Sequence, residues 1–412
     1  MISKRTTVVG AVGTAMLLLA ACGSAGSEES GDSGNASAMY TWITNENDRE
    51  QWEALVSSAQ EEDSSFSLEL EGPGFADYWT KVKTRMSSSD APCIVTTQAA
   101  RAQELSDILM PLDELAAEHE LDLEIYNDAM LQGMTVDGGV RAIPYDAEPM
   151  VLYYNKDLFT EAGLELPGLD YTTEQFISDA KALTGDGKYG FAVSPFLSAG
   201  PTLPFAFANG NVPVQDNELT LTDPGFVKDA QWTFDLVAEH KVAVAPQSAD
   251  PTDVHQQHFM AGNAAMIIDG SWFHETLTTG TDGEVGVAVV PSTSGNPTGM
   301  IQGSGFGVSE SCSAPDKAFQ NIMAITTPEV VGKVGAERGN VPSVESAITD
   351  WAESKPESDV AAIEAMLESG IPLQTTESWN QVDTIFTQYA SDGFRGSRSA
   401  EEILTTIEDS IR

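Results

Sequence analysis

Two proline-flanked polar bends break a chain in which strand-like and helix-like runs otherwise alternate. The first reads Arg141-Ala142-Ile143-Pro144-Tyr145-Asp146-Ala147-Glu148-Pro149 and leads straight into the apolar run Met150-Val151-Leu152-Tyr153-Tyr154. The second covers residues 292–298, just after Pro291 stops the apolar run 285–290. Proline removes a ladder donor and fixes its own φ, so these stretches read as extended crossings where the chain leaves one lobe for another. Alternating elements argue for α/β layering, and about 375 residues beyond the N-terminal segment exceed what one core usually serves.

Residues 39–43, 66–70 and 93–97 carry β-formers and read as strands, with further buried strands at 264–268 and 306–308. Asp48 is placed to cap a helix through Gln60, whose Trp52, Leu55, Val56 and Ala59 share one face. Thr172 and Gln175 have capping-box spacing, and Gly185 closes the helix they open. Asp223-Pro224 starts a helix to His240, residues 315–326 form another, and amphipathic runs follow at 356–368, 379–391 and 399–411.

The N-terminus constrains where such a chain resides. Lys4 and Arg5 precede apolar residues 8–21, which end in Leu19-Ala20-Ala21-Cys22. That run is too short to span a bilayer comfortably and reads as a signal peptide closing in a lipobox, so lipid is expected on Cys22. Residues 23–37 are glycine, serine, alanine, asparagine and acid, the composition of a flexible tether. The expected location is the extracellular face of the cytoplasmic membrane, held there by lipid.

A formal net charge of −43, from 20 Lys and Arg against 63 Asp and Glu, excludes nucleic acid and favours a neutral ligand. After Cys22 only Cys93 and Cys312 remain, which in an exported chain allows either a disulfide or two buried thiols. His255 and His258 lie i,i+3 without a third ligand near by, so no metal site is expected. No phosphate-loop, serine-elbow or zinc-protease motif occurs, and Gly303-Ser304-Gly305-Phe306-Gly307 lacks the dinucleotide spacing. No cofactor is expected.

Several blocks, in this order, resemble the extracellular solute-binding proteins of ABC importers, in the class typified by maltose-binding protein. They are Ile143-Pro144-Tyr145 through Tyr153-Tyr154-Asn155-Lys156-Asp157-Leu158-Phe159, then Phe259-Met260-Ala261-Gly262-Asn263-Ala264-Ala265-Met266 through Gly270-Ser271-Trp272. Residues 286–291 and 303–308, leading into Ala314-Pro315-Asp316-Lys317-Ala318, complete the match, which with the lipobox covers essentially the whole chain. The resemblance implies a two-lobed, type II periplasmic-binding-protein-like α/β fold whose discontinuous lobes are joined by hinge strands. On it, residues 1–21 are the signal, 22–38 the tether, 39–146 with 297–345 the first lobe, and 147–296 with 346–412 the second. It implies a monomer that performs no catalysis. Such a protein captures a neutral oligosaccharide in the interlobe cleft and docks on the transmembrane subunits of an ABC permease. Cys93 and Cys312 then both fall in the first lobe, on or beside neighbouring strands, and a disulfide is implied.

Sugars present an apolar C–H face and a hydroxyl rim, so their clefts need aromatic platforms with carboxylates and amides. The resemblance places Trp272, after a second-lobe strand, and Trp379, opening a late helix, as stacking platforms. It places Glu46 and Asn47 in the loop after the first strand and Gln98 at the exit of a later one. Asp146 and Glu148 sit at the hinge, and Gly303 with Ser304 forms the backbone approach from the first lobe. Trp42 and Trp52 are assigned to the core. A polyamine or other cation receptor of the same fold is the alternative. An anchored glycoside hydrolase, which would need two opposed carboxylates, is a more distant one.

Overall fold

The computed structural model describes residues 35–411 apart from 199 and 248. The expected signal segment, Cys22 and most of the expected tether lie outside the described residues.

Among the described residues, ten strands form the two main sheets. In chain order they are β1 (Ala38–Tyr40), β2 (Glu69–Glu71), β3 (Ile94–Gln98), β4 (Ile143–Pro144), β5 (Glu148–Asn155), β6 (Met266–Gly270), β7 (Val285–Ala288), β8 (Gly299–Gln302), β9 (Ser304–Val308) and β10 (Gly370–Pro372). In the first sheet β1 runs parallel to β2 and β3, and β9 lies antiparallel between β3 and β4. The second sheet is built on β5. Strand β6 lines one of its edges, β7 and β8 share the other, and β10 continues from β8. β5 is buried on both faces, which is why it reads as an unbroken apolar run.

The chain passes between the sheets three times. The first passage is Tyr145-Asp146-Ala147, between β4 and β5. The second is the single residue Gly303, because β8 still pairs with β5 and β10 whereas β9 pairs with β3. It therefore falls after the polar run at 292–298, which is a loop of the second-lobe side where Ser292 O accepts from Thr173 N. The third passage runs alongside the first: Ala147 N donates to Val341 O at 2.9 Å and Ser343 N to Tyr145 O at 3.1 Å.

Each sheet has its own core. Trp52, Leu55, Ile94, Phe306, Phe319 and Ile322 pack in the first, and Val151, Tyr153, Phe205, Ile267 and Phe386 in the second. Helix α1 (Glu46–Glu62) turns Trp52, Leu55 and Ala59 inward and leaves Glu53, Glu61 and Glu62 in water. Its cap is Asn45 rather than Asp48. The Asn45 side chain accepts from Asp48 N at 3.0 Å, while the Asp48 carboxylate reaches back to Thr44 N at 2.8 Å, so the acid occupies the third helical position of a reciprocal cap. Thr172 and Gln175 do form a capping box. Cys93, just before β3, and Cys312, just after β9, are joined by a disulfide with an S–S distance of 1.98 Å.

Candidate ligand cleft

Parallel strands present their carboxyl ends on one side of a sheet, and α/β proteins bind ligands there. In the first lobe this edge is made by the exits of β1, β2 and β3. The β2 exit passes so close to the β1 exit that a Cβ on Gly72, with φ +152°, would lie 1.7 Å from Thr41 O. Only glycine fits. The two exits are then tied together where Phe75 N donates to Thr44 Oγ1 at 3.0 Å.

That approach assembles an aromatic wall. Trp42 follows β1, and helix α2 (Phe75–Met86) carries Phe75 and Trp79 one turn apart. Trp42 meets Phe75 edge-on at 5.3 Å between centroids, Phe75 meets Trp79 at 5.6 Å, and Trp42 lies 5.8 Å from Trp79. Phe75 is 41% exposed, an unusual amount for a phenylalanine within a packed aromatic cluster. The Trp79 indole N–H is buried and has no hydrogen-bond partner. Beside it, after β3, the Arg101 guanidinium sits 5.1 Å over the Trp79 ring and bonds Glu104 at 2.9 Å.

The second lobe touches the first beside Arg101. Thr375 Oγ1 donates to Ala100 O at 2.6 Å, closing a direct contact between the lobes. Asp383, on helix α3 (Trp379–Phe394), accepts from Ser198 N at 3.0 Å and from Ser198 Oγ at 2.6 Å. Burial pushes the Asp383 carboxyl up, and the Ser198 bonds and the positive charge of Arg101 pull against that shift. Arg101 is thus paired with Glu104 on its own lobe and acts on the Asp383 carboxyl of the other.

The structure distributes the sequence-derived residues unevenly. Glu46 is exposed at the start of α1, and the side chain of Asn47 lies outside the described residues. Gln98 ends β3, half-buried and paired with Ser304. Trp272 is half-buried, and its ring covers Gly270, where a Cβ would stand 2.1 Å from the ring. Behind that turn, Asp269 accepts from Gly270 N at 2.8 Å, His255 Nε2 at 2.8 Å and Gln256 Nε2 at 2.7 Å, fixing the segment that carries the tryptophan.

Asp146, Glu148, Gly303 and Ser304 come together at the first two passages, where both carboxyls are buried and their oxygens already hydrogen-bonded to the protein. Trp379 requires a correction. It is fully buried in the second-lobe core and its indole N–H donates to Ser198 Oγ at 2.9 Å, so packing leaves no face for a ligand.

Phe75, Trp79 and Arg101 were missed from the sequence. The turn Gly72-Pro73-Gly74 ahead of an i,i+4 aromatic pair is the one local signal that marks the first two. Trp42, read as core, is half-buried in the same wall.

Two lobes joined by three passages, with an aromatic wall at the carboxyl ends of parallel strands, define a hinged binding protein. The chain belongs to the bacterial extracellular solute-binding protein family, whose model matches residues 44–332. It is 22% identical to a maltooligosaccharide ABC transporter solute-binding lipoprotein of Streptococcus pneumoniae, over 99% of this chain and 97% of that one. It is 23% identical to a galactooligosaccharide-binding protein of Bacillus subtilis, over 100% and 98% of the two chains. The fold is that of an ABC substrate-binding protein from Listeria monocytogenes solved in complex with cycloalternan, with a TM-score of 0.79, 20% identity and coverage of 91% and 97%. The GacH receptor of Streptomyces glaucescens, solved unliganded and with acarbose, superposes with a TM-score of 0.76 at 21% identity over 91% and 97% of the chains.

Proposed function

We propose that this protein captures a neutral oligosaccharide between its lobes and hands it to the transmembrane subunits of an ABC permease, acting as a monomer and without chemistry on the ligand. The observation that carries this reading is the Trp42–Phe75–Trp79 wall with its exposed Phe75 ring. The exposed Phe75 ring suits the C–H face of a sugar. The Arg101–Glu104 ion pair supports a neutral ligand over an anion. Relatives named for maltooligosaccharides and galactooligosaccharides support the same class. Trp272, Gln98 and Glu46 are proposed as further contacts, Trp272 facing the first-lobe wall. The two lobes are proposed to comprise residues 39–146 with 304–345 and 147–302 with 346–412.

A thermal-shift screen tests the ligand class, since a molecule that binds only the folded state raises the midpoint. Linear gluco-oligosaccharides and galacto-oligosaccharides should include at least one that stabilises by about 3 kcal/mol when supplied at roughly a hundred times its Kd. A screen in which only spermidine shifts the midpoint overturns the proposal.

The tether is proposed to end in a lipid-modified Cys22, holding the receptor near its permease. Cys22→Ser should move the protein from the membrane fraction to the medium. Unchanged fractionation would remove the anchor from this account.

A further inference from the structure

Trp272, proposed above as a ligand contact, stands on a glycine. A Cβ on Gly270, the last residue of β6, would lie 2.1 Å from Cζ3 of the Trp272 ring, 2.2 Å from Cη2 and 2.3 Å from Cε3. Carbon atoms rest roughly 3.5–4.0 Å apart, so no side chain fits there. The three are consecutive atoms of the six-membered ring. Near-equal distances to all of them put the Cβ position over the face of the ring, because an approach to the edge would leave the flanking atoms far behind the middle one. One face of Trp272 therefore lies on the bare Cα of Gly270.

The backbone does not itself require glycine at this point. Gly270 has φ −75° and ψ 152°, extended values that any L-residue adopts. What excludes a side chain is the ring. Nor is the glycine free to move aside. Its N–H donates to the Asp269 carboxylate at 2.8 Å, which also accepts from His255 at 2.8 Å and Gln256 at 2.7 Å. Its carbonyl accepts from the buried Tyr153 hydroxyl at 3.0 Å, and it lies opposite Met150 in the β5–β6 ladder. Ser271, next in the chain, is tied through its hydroxyl to Glu148. The Trp272 side chain is only half-buried, so of the two partners it is the one with room to turn.

We infer that Gly270 is a positioning residue of the cleft: it seats one face of Trp272 and so offers the ligand the opposite face at a fixed angle. The inference rests on the reading of Trp272 as a ligand contact. Stacking depends on the angle and separation of ring and partner, so a ring tipped off its seat keeps its area and loses the contact. Asp269, Tyr153 and Glu148 brace the segment beneath the ring.

The test is a double-mutant cycle between Gly270→Ala and Trp272→Ala, read first without ligand. In protein labelled with 5-fluorotryptophan, Gly270→Ala should shift or split the fluorine resonance of Trp272, which Trp272→Phe assigns among the seven tryptophans. It should also lower the thermal midpoint. In the Trp272→Ala background the added methyl enters the space the ring has left, and Gly270→Ala should cost nothing further. An unmoved Trp272 resonance overturns the inference. So does a midpoint loss that persists once the ring is gone, since the glycine would then have a role of its own. Should Gly270→Ala fail to fold, the double variant decides: its folding assigns the clash to the ring, and its failure to fold overturns the inference.

Binding is read next, by calorimetry with maltotetraose and galactotriose. A probe that binds the parent should bind Gly270→Ala about tenfold more weakly, and the double variant no more weakly than Trp272→Ala. Equal affinity in the parent and Gly270→Ala overturns the positioning role. A parent that binds neither probe counts against the oligosaccharide reading, and the seat of the ring is then judged on the resonance and the midpoint.

Discussion

Phe75→Ala should weaken sugar binding about ten- to a hundredfold, or roughly 1.4–3 kcal/mol, while the unfolding midpoint stays nearly where it was. The ring contributes a platform to the ligand but is 41% exposed in the free cleft, so its loss leaves little cavity in the protein. Trp79 offers the complementary test. It is only 8% exposed, and truncation to alanine would damage the core, so the informative change is Trp79→Phe. That variant keeps a flat ring behind Phe75 and removes a buried N–H that no ligand reaches, so affinity should change by less than about 1 kcal/mol. Calorimetry with the best sugar of the screen reads both. Wild-type affinity in Phe75→Ala would take the aromatic wall out of the binding site, whatever the sugar.

The other large effect concerns stability. Cys93 and Cys312 are 219 positions apart in sequence, so their bond closes a very long loop in the unfolded chain. The chain-entropy model assigns such a loop roughly 4–5 kcal/mol. Cys93→Ala/Cys312→Ala should therefore lower the thermal midpoint by about 5–10 °C, by the usual scaling of midpoint with unfolding entropy. Because the bond joins the end of the loop before β3 to the turn after β9, the first lobe should loosen before the second. Scanning calorimetry would show this as a separate, earlier transition. A single unshifted transition would mean that native packing makes the bond redundant.

The fold was legible where local chemistry decides it. The Thr172–Gln175 box formed as spaced because both partners lie within one turn and no distant neighbour competes for them. The β5 run was clear because burial on both faces leaves a continuous apolar signature. Strand ends were less so: residues 41 and 43 stay extended, bonding Glu71 O and Pro73 O, without belonging to the ladder assigned to 38–40.

The cleft was only partly legible, and the reason is tertiary. An i,i+4 aromatic pair looks the same whether its face meets a core or a ligand, so Phe75 and Trp79 gave no local sign of their destination. Trp379 failed in the opposite direction. It opens a helix where a platform would stand, but Ser198 and the second-lobe core close over it. Charge had the same ambiguity. Asp146 and Glu148 look like hydroxyl acceptors in the sequence, and only the approach of Asn340 and Ser271 from distant segments shows that their oxygens are already engaged.

The single-residue passage at Gly303 also sets an order of assembly. The first sheet cannot close until β9 arrives between β3 and β4, and β9 ends at Val308. A growing chain that stops short of that point has three parallel strands with an unpaired edge and an unmatched Cys93. Contacts of such long sequence separation form late and slowly. Neither lobe can be produced as one uninterrupted fragment, and a chain emerging from synthesis stays unfinished for most of its length, the condition a polypeptide must keep if it is to be threaded through a narrow pore.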